Sequence, residues 1–557
     1  MVDKTLPPPE RRSGNDRLLF AVVFLAGIGT LGIEMVMPRM LAPFFGTSQP
    51  IWAVVIGMTL VYLAIGYRLG GTLADRRPDW RLLFQLIGWA GLSCAIIPFI
   101  ARPILSTAQG ALRSVAAGGF LAALIGVILL FAVPVTLMAM VGPFAIRLQM
   151  RQAEDVEHAG RTAGTISALS TIGSIAGTFL TVLVLIPAIG VTSTLFLFAA
   201  FLVVLSLIGL RDPRQLLLVA AVVLLAGAYQ LNVGVIKAAD CSNCRLVAEF
   251  ESDYNYIQVA EQEVTYASGV VDRRRVLILN EGLALHSIYR LKYRETGDPL
   301  DLLTDGGPWD YFSVAPYLYP AVNPDDVRSL ALLGAAAGSV AQQFLAIYGS
   351  DTLIDAVEID RKISEVGRRY FDMADGTSQA PYFTTYNEDA RYWLATTRRQ
   401  YDVIGLDAYH QPYIPFHLTT VEFFQEVKAK LTPRGVAVVN AGRPASGDDR
   451  LVNALASTMI AVFPQVYIID TRFSNAIIIG VNQPVGDGVV NFIENAARID
   501  VPALQLVMFW SLYEGRFGPL REFTPEMAQF RPFTDDHAPV EQLIDGLIFS
   551  EVGRRSQ

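Results

Sequence analysis

The sequence predicts a helical membrane region of about seven spans, then a β-rich stretch, then an α/β region of alternating strands and helices. Three observations carry this reading. Apolar runs of about 20 residues, the length a helix needs to cross a bilayer core, recur through the first part of the chain. After Lys237 charges appear every few residues and the apolar runs shorten to strand length. From Ser329 onward, short apolar strands alternate with helical segments.

Composition agrees. Of 557 residues, 52% are hydrophobic and 17% charged, with mean hydropathy +0.39. Ordinary soluble domains carry about 25% charge, so a disordered, collagen-like or typical soluble chain is excluded. The net charge of -8 and pI near 5.3 argue against a nucleic-acid partner, because phosphate binding needs clustered Lys and Arg. Three cysteines allow one bridge but no disulfide framework.

Residues 1–17 form a polar tail with Lys4, Arg11, Arg12 and Arg17. The apolar run 18–37 is too long for a secretory signal and fits a span. Similar runs follow at 51–67, 82–101, 117–142, 163–187, 191–210 and 215–235, so residues 18–237 read as the membrane domain of an integral multi-pass plasma (inner) membrane protein. With the N-terminus inside, most Lys and Arg from Lys4 to Arg214 fall on the inner side, and the outer loops hold only Arg39, Arg102 and Arg113. An odd span count then puts the C-terminal region outside, and the amphipathic stretch 103–116 is where a missed or re-entrant element would reverse it. Cys241 and Cys244 lie just past the last run: outside they can oxidise, inside they can serve as a redox or metal pair, and two free thiols is the plain alternative.

Glu34 sits in the first run, where a carboxylate is costly. It is expected to be protonated, to pair with Arg39 or Arg68, or to lie near the interface. The stretch Gly66-Tyr-Arg-Leu-Gly-Gly-Thr-Leu-Ala-Asp75-Arg76-Arg77 resembles the loop after the second helix of major facilitator transporters, although seven spans falls short of their usual twelve. The small residues Gly164, Ser167, Ser170, Gly173, Ser174 and Gly177 favour close helix packing over a substrate path.

In residues 238–322, Tyr254–Val259 and Arg275–Asn280 read as strands, with a turn at Asn280-Glu-Gly282. In residues 323–557, the strand Ser329–Leu333 leads into Gly334-Ala-Ala-Ala-Gly338 and a helix over 339–348. The strand 352–358 ends in Glu358, about 20 residues beyond the Gly loop, the spacing of a ribose-binding acid in a nucleotide fold. Strands at 382–386 and 401–406 lead to Asp389 and Asp407. Leu431-Thr-Pro-Arg reads as a helix exit and turn before a strand at 435–440, and a final pair is expected at 465–470 and 475–481. Ligands of such sheets bind at the carboxyl ends of the strands. Glu358, Asp389 and Asp407 are expected to share that edge, although each is equally an N-cap candidate.

The segments Tyr254-Asn-Tyr-Ile-Gln-Val, Val276-Leu-Ile-Leu-Asn-Glu-Gly, Leu333-Gly-Ala-Ala-Ala-Gly338, Asp355-Ala-Val-Glu-Ile-Asp360, Asn387-Glu-Asp389, Tyr401-Asp-Val-Ile-Gly-Leu-Asp407 and Pro415–Phe424 resemble, in order and spacing, the polyamine aminopropyltransferases, the spermidine synthase family. The whole chain resembles the membrane-fused branch. The resemblance implies a small β domain before a Rossmann-like, methyltransferase-like sheet. It implies no tightly bound cofactor but an S-adenosyl co-substrate, normally decarboxylated S-adenosylmethionine, and an amine acceptor. By position, Gly334 and Gly338 would frame the donor, Glu358 would hold its ribose, Asp389 its adenine, and Asp407 would be the general base. The family also implies homo-oligomers. Its donor is cytoplasmic, which conflicts with the side that the charge rule gives the soluble region.

The sequence departs from the family at three places. Ala337 replaces the acid of the Gly-rich loop, His410 replaces a second acid, and Tyr311-Phe-Ser313 keeps only the tyrosine of a Tyr-Gln-Glu region. Tyr311, Tyr409 and His410 are the substrate-side candidates, with Tyr409 and Tyr413 as pocket walls on a gating loop. His410 and His417 have no metal-ligand spacing, so no metal is expected. Two further functions stay open: a methyltransferase of unknown acceptor, and a noncatalytic or transport-coupled protein that has lost donor binding.

Overall fold

A computed structural model describes residues 14–45, 49–112, 118–153, 159–210, 216–231, 241, 243–252, 254–265, 271–280, 285–409, 414–443, 446–540 and 543–544. The chain divides into two compact units, which meet in sequence between Lys237 and Ala238.

The first unit is helical: α1 (Gly14–Phe45), α2 (Gln49–Arg76), α3 (Trp80–Leu112), α4 (Gly118–Ala139), α5 (Val141–Ala153), α6 (Ala159–Leu180), α7 (Ile186–Leu210) and α8 (Leu216–Leu231). Among the described residues, five helical stretches are long and apolar enough to cross a membrane, and α8 contributes a shorter apolar segment. One of the five, Ala159–Leu210, is 52 residues long and absorbs two of the expected runs. It stays continuous through a wide turn at Thr181–Leu185, and Gly190, at φ 77° and ψ 170°, breaks it. The amphipathic stretch that begins at residue 103 continues α3 as far as Leu112.

α1 is the hub of this unit and packs on α2 through α7. Its tightest contact is with α6. A Cβ on Gly27 would strike the Ser170 carbonyl, and one on Gly173 or Gly177 would strike the carbonyls of Phe24 or Ile28. The small residues of α6 therefore serve close packing. Glu34 is 5% exposed, its Oε1 finds no hydrogen-bond partner among the described residues, and no ion pair with Arg39 or Arg68 forms there. Because α1 runs on to Phe45, Glu34 stands near the middle of the helix rather than at its end.

The second unit opens with an antiparallel sheet in the order β1 (Cys244–Glu251), β2 (Tyr256–Thr265), β3 (Val271–Leu279), β4 (Leu285–Arg290). Cross-strand pairs fix its register: Glu261 lies opposite Arg275, Gln262 opposite Arg274 and Glu263 opposite Arg273, each joined by side-chain hydrogen bonds. Asn280 takes φ 47° at the end of β3, and the turn expected to follow it lies outside the described residues. Cys241 and Cys244 are joined by a disulfide.

A single helical turn, α9 (Tyr293–Thr296), and a buried run of tight turns, Pro308–Leu318, lead into the α/β part. Its elements are β5 (Ser329–Leu333), α10 (Ser339–Tyr348), β6 (Leu353–Val357), α11 (Arg361–Tyr370), β7 (Phe383–Tyr386), α12 (Ala390–Thr396), β8 (Tyr401–Leu406), α13 (Val421–Ala429), β9 (Leu431–Ala441), α14 (Arg450–Ile460), β10 (Gln465–Asp470), β11 (Ala476–Val481), α15 (Gly488–Arg498), α16 (Pro502–Tyr513) and β12 (Arg521–Phe523). The strands form one sheet in the order β12-β10-β11-β9-β8-β5-β6-β7, parallel from β9 to β7 and antiparallel beyond β9. β5 and β11 are buried along their whole length, which explains their unbroken apolar sequence.

The turn expected at Leu431–Arg434 is a correction. Leu431 already pairs with Tyr401, so β9 starts there, and a bulge between Tyr401 and Val403 absorbs the extra residues around Pro433. The four-stranded sheet packs its apolar face, with Ile257, Val259, Leu277 and Leu279, on Ile363, Val366 and Phe371 of α11 and its end.

Candidate active site

Strand order reverses between β5 and β8. β6 and β7 follow β5 on one side, while β8 lies on the other with β9 beyond it. The loops after β5 and β8 therefore diverge, and the crevice they leave is where ligands of such sheets bind. Gly334 follows β5 and Asp407 follows β8, side by side. The Asp407 N–H donates to the Leu333 carbonyl at 2.9 Å, and the Gly334 N–H to the Val357 carbonyl at 2.9 Å. Gly334 has φ 88°, and a Cβ there would sit 2.5 Å from the Ala408 backbone, so only glycine fits.

The loop is held from both sides. The Ala337 N–H donates to Ser287 Oγ at 3.0 Å, and Ser339 Oγ exchanges hydrogen bonds with the Ile288 backbone at 3.0 Å. Ala337 is fully buried among the apolar residues between the small sheet and α11. Ala336 takes φ 46°, unusual for a residue with a Cβ, and this turns its N–H onto Glu358 Oε2 at 2.9 Å. Glu358 Oε1 accepts the Asp360 N–H at 3.0 Å. Burial pushes the Glu358 carboxyl up to about 7; its two N–H donors oppose that, and the charges of Asp360 and Asp407 add to it. Gly338, at φ 90°, opens α10.

Asp407 is half-buried as a residue. Trp309 Nε1–H donates to its Oδ2 at 2.9 Å and Asn440 Nδ2–H to its Oδ1 at 2.7 Å. Desolvation pushes this carboxyl up to about 7 against the pull of those two donors. An acid poised there can take a proton near neutrality. Glu358 and Asp407 lie within electrostatic reach of each other, so their titrations are linked.

The other candidates are placed as follows. Asp389 caps α12, with Oδ1 accepting the Arg391 and Tyr392 N–H groups at 2.9 and 3.0 Å, and Oδ2 lies 3.2 Å from His417 Nε2. Its neighbour Asn387 reaches the Glu358 carbonyl at 3.0 Å, which ties this loop to the rim. The Tyr409 hydroxyl donates to the Asn440 carbonyl at 2.8 Å and accepts the Gly442 N–H at 2.7 Å, and burial raises its pKa. Tyr311 has no exposed surface; its hydroxyl accepts the Arg472 N–H at 3.3 Å within the core. His410 and Tyr413 lie outside the described residues. Among the described residues, no group of three His, Cys, Asp or Glu side chains is arranged to hold a metal.

Sequence reading missed Trp309, Asn440 and Asn475, whose Nδ2–H donates to Asn440 Oδ1 at 2.9 Å. A signal existed for two of them. A buried indole needs an acceptor for its N–H, and Asn440 ends an apolar strand at the level of the rim acids.

Residues 321–482 match the Spermine/spermidine synthase domain family. A probable polyamine aminopropyl transferase of Bifidobacterium longum is 30% identical over 365 residues, covering 62% of this chain and 73% of that protein. A polyamine aminopropyltransferase of Vibrio vulnificus is 32% identical over 148 residues, covering 26% of this chain and 46% of its own. The chain thus spans about three quarters of the first relative and about half of the second. Among solved structures, a probable spermidine synthase from Corynebacterium glutamicum aligns with TM-score 0.40 at 19% identity, over 52% of this chain and 97% of that one. The spermidine synthase from Thermotoga maritima aligns with TM-score 0.34 at 18% identity, over 46% and 79%.

Proposed function

The chain belongs to the polyamine aminopropyltransferase family, and from that premise we propose that it is a membrane-bound transferase that moves an aminopropyl group from decarboxylated S-adenosylmethionine to an amine acceptor. Asp407 is the general base, Glu358 holds the donor ribose against the Gly334–Gly338 loop, and Asp389 lies toward the adenine. The observation that carries this reading is the Asp407 carboxyl at the point where strand order reverses, gripped by two N–H donors and poised at about 7.

The chemistry follows from that group. A protonated amine has no lone pair to attack with. As the amine nitrogen bonds to the carbon beside the sulfonium, the carbon–sulfur bond breaks, sulfur leaves as a neutral thioether, and the nitrogen's proton passes to Asp407. The sulfonium supplies the activation, so the site mainly aligns the two partners.

The membrane part of the proposal rests on the helical unit. A 52-residue helical stretch is about 78 Å long, more than twice a bilayer core of about 30 Å. With the Gly190 break it makes two crossings, and α8 makes a seventh. An odd span count and the charge asymmetry of the loops favour the outer side for the second unit, whereas a cytoplasmic donor favours the inner side. No nucleic acid is bound, the lipid bilayer is the partner of the first unit, and the second unit associates with further copies of itself.

One observation favours a second reading. The position of the family's donor-binding acid holds Ala337, buried in apolar surroundings. That suits a donor whose tail does not end in a bare ammonium, as in methyl transfer from S-adenosylmethionine. Mass spectrometry of products formed by the full-length protein in lipid nanodiscs separates the two. With putrescine present, the first reading expects aminopropylated amine from the decarboxylated donor. Methylated amine from the ordinary donor alone supports the second, and absence of product with either sinks both.

A further inference from the structure

Both oxygens of Asp407 are engaged, yet only one of its two partners has a choice of orientation. The Trp309 indole can present only its N–H. The Asn440 amide can present either an N–H pair or a carbonyl. A carboxylate is acceptor-only, so the amide must turn Nδ2 toward Asp407 and leave Oδ1 on the far side. There Oδ1 accepts from Asn475 Nδ2 at 2.9 Å. The Asn475 backbone is held in place: its main-chain carbonyl accepts the Thr471 N–H at 3.0 Å and the Thr471 hydroxyl at 2.9 Å, closing the hairpin between β10 and β11. The Asn440 backbone is pinned too, between the β11 ladder and the Tyr409 hydroxyl.

We propose that Asn475, Asn440 and Trp309 form a positioning relay for Asp407, in which Asn475 sets the sense of the Asn440 amide and thereby holds Asp407 in its acceptor-only form. This rests on the reading of Asp407 as the base. Asn475 touches no reacting group and acts through Asn440. Among the described residues, the ionisable groups within electrostatic reach of Asp407 are Glu358 from the end of β6 and Tyr409 from its own loop. No Lys, Arg or His among the described residues is bonded to Asp407, so the relay takes the place that a neighbouring cation would fill.

The decisive change is Asn475→Asp. The new carboxylate has no N–H to give, so the Asn440 amide reverses, donates to it, and turns its carbonyl onto Asp407. Two facing acceptors need a proton between them, and Asp407 must hold it. The expected result is a rise of about one pH unit or more in the Asp407 titration midpoint. At pH 6, kcat/KM then falls about tenfold, since one pH unit is a factor of ten in deprotonated carboxylate, and it recovers on the alkaline side. Trp309→Phe, which keeps the packing and removes one donor, moves the midpoint the same way by less.

Infrared difference spectra of the full-length protein in nanodiscs, without donor or amine and with Asp407→Asn as the blank, read the titration directly. Recording them in a Glu358→Gln background removes the other carboxyl near the same pH. The relay is overturned if Asn475→Asp and Trp309→Phe leave the midpoint where it was, or if Asn475→Asp lowers kcat equally at every pH. Because the spectra need no turnover, an unshifted midpoint rejects the relay, whereas a shifted midpoint in a protein without transfer activity upholds the relay and rejects the base.

Discussion

Glu34 in α1 and Asp407 at the end of β8 are both carboxyls set among apolar neighbours, and the two units treat them differently. Asp407 has an N–H donor on each oxygen. Glu34 is 5% exposed, with Oε1 unpartnered among the described residues. A buried acceptor left without a donor costs about 1–3 kcal/mol, so the first unit carries a local cost that the second has offset. Satisfied donors are what the proposed proton exchange at Asp407 needs, and Glu34 Oε1 lacks them among the described residues.

The contrast is broken most directly at Asp407. Asp407→Asn preserves shape and removes the base; transfer is expected to fall by about 10²–10⁴ with the melting temperature nearly unchanged, as read by product assay and thermal melting. Loss of less than tenfold would mean that the proton leaves by another route. Next in size is Gly334→Ala. It places a methyl 2.5 Å from the Ala408 backbone at φ 88°, which is expected to cost about 1–3 kcal/mol or more in strain and to lower the melting temperature. Donor affinity measured on surviving folded protein should drop with it.

Glu358→Gln sharpens the comparison from the donor side. Hydrogen bonds to charged groups contribute about 1.5–3 kcal/mol, so donor affinity by calorimetry is expected to weaken about tenfold or more while the amine KM holds.

The pH dependence has a definite sign. Asp407 and Glu358 are both pushed up to about 7 in the folded chain, against about 4 unfolded. The native state therefore binds more protons, and their contribution to stability, complete below about 4, is lost as pH rises through about 7. Activity moves the opposite way, since the base must be deprotonated. Chemical denaturation across this window should show stability falling while kcat/KM rises, and the double variant Asp407→Asn, Glu358→Gln should flatten the stability slope.

The smallest effect is expected at Glu34→Gln, with transfer rate unchanged within about twofold, as for a change away from the reacting groups. A tenfold drop in the product assay would show that the two carboxyls are coupled, and the contrast drawn here would fail.

Some of this is legible in the sequence itself. The strand Ser329–Leu333 and the helix from Ser339 fall where the pattern put them, because a run buried on both faces between a turn glycine and an amphipathic segment has few other readings. The acids at the ends of β6 and β8 were legible for the same reason: a lone charge closing an apolar strand has to be at the sheet rim. The start of β9 was misread because Pro433 imitates a turn, and only the pairing with Tyr401 reveals a bulge. Trp309 and Asn440 each left a local signal, but their meeting with Asn475 was out of reach, since nothing local says that a turn near residue 309 and a hairpin near residue 475 meet beside β8. The alanines of the loop were visible as a departure. That Ala336 would turn its N–H onto Glu358 was not, because the effect depends on a backbone angle that side-chain type disfavours.

The bridge between Cys241 and Cys244 carries a consequence for the cell. Such a bond persists only where no reductant pool keeps thiols open, so it serves as an internal witness to which solution bathes the start of β1. Cells quenched in acid and alkylated before any reducing step would deliver one peptide from this stretch, either capped twice or still crosslinked. That single mass difference would tell whether the proposed donor could reach the second unit directly from the cytosol or would first have to be carried across the bilayer.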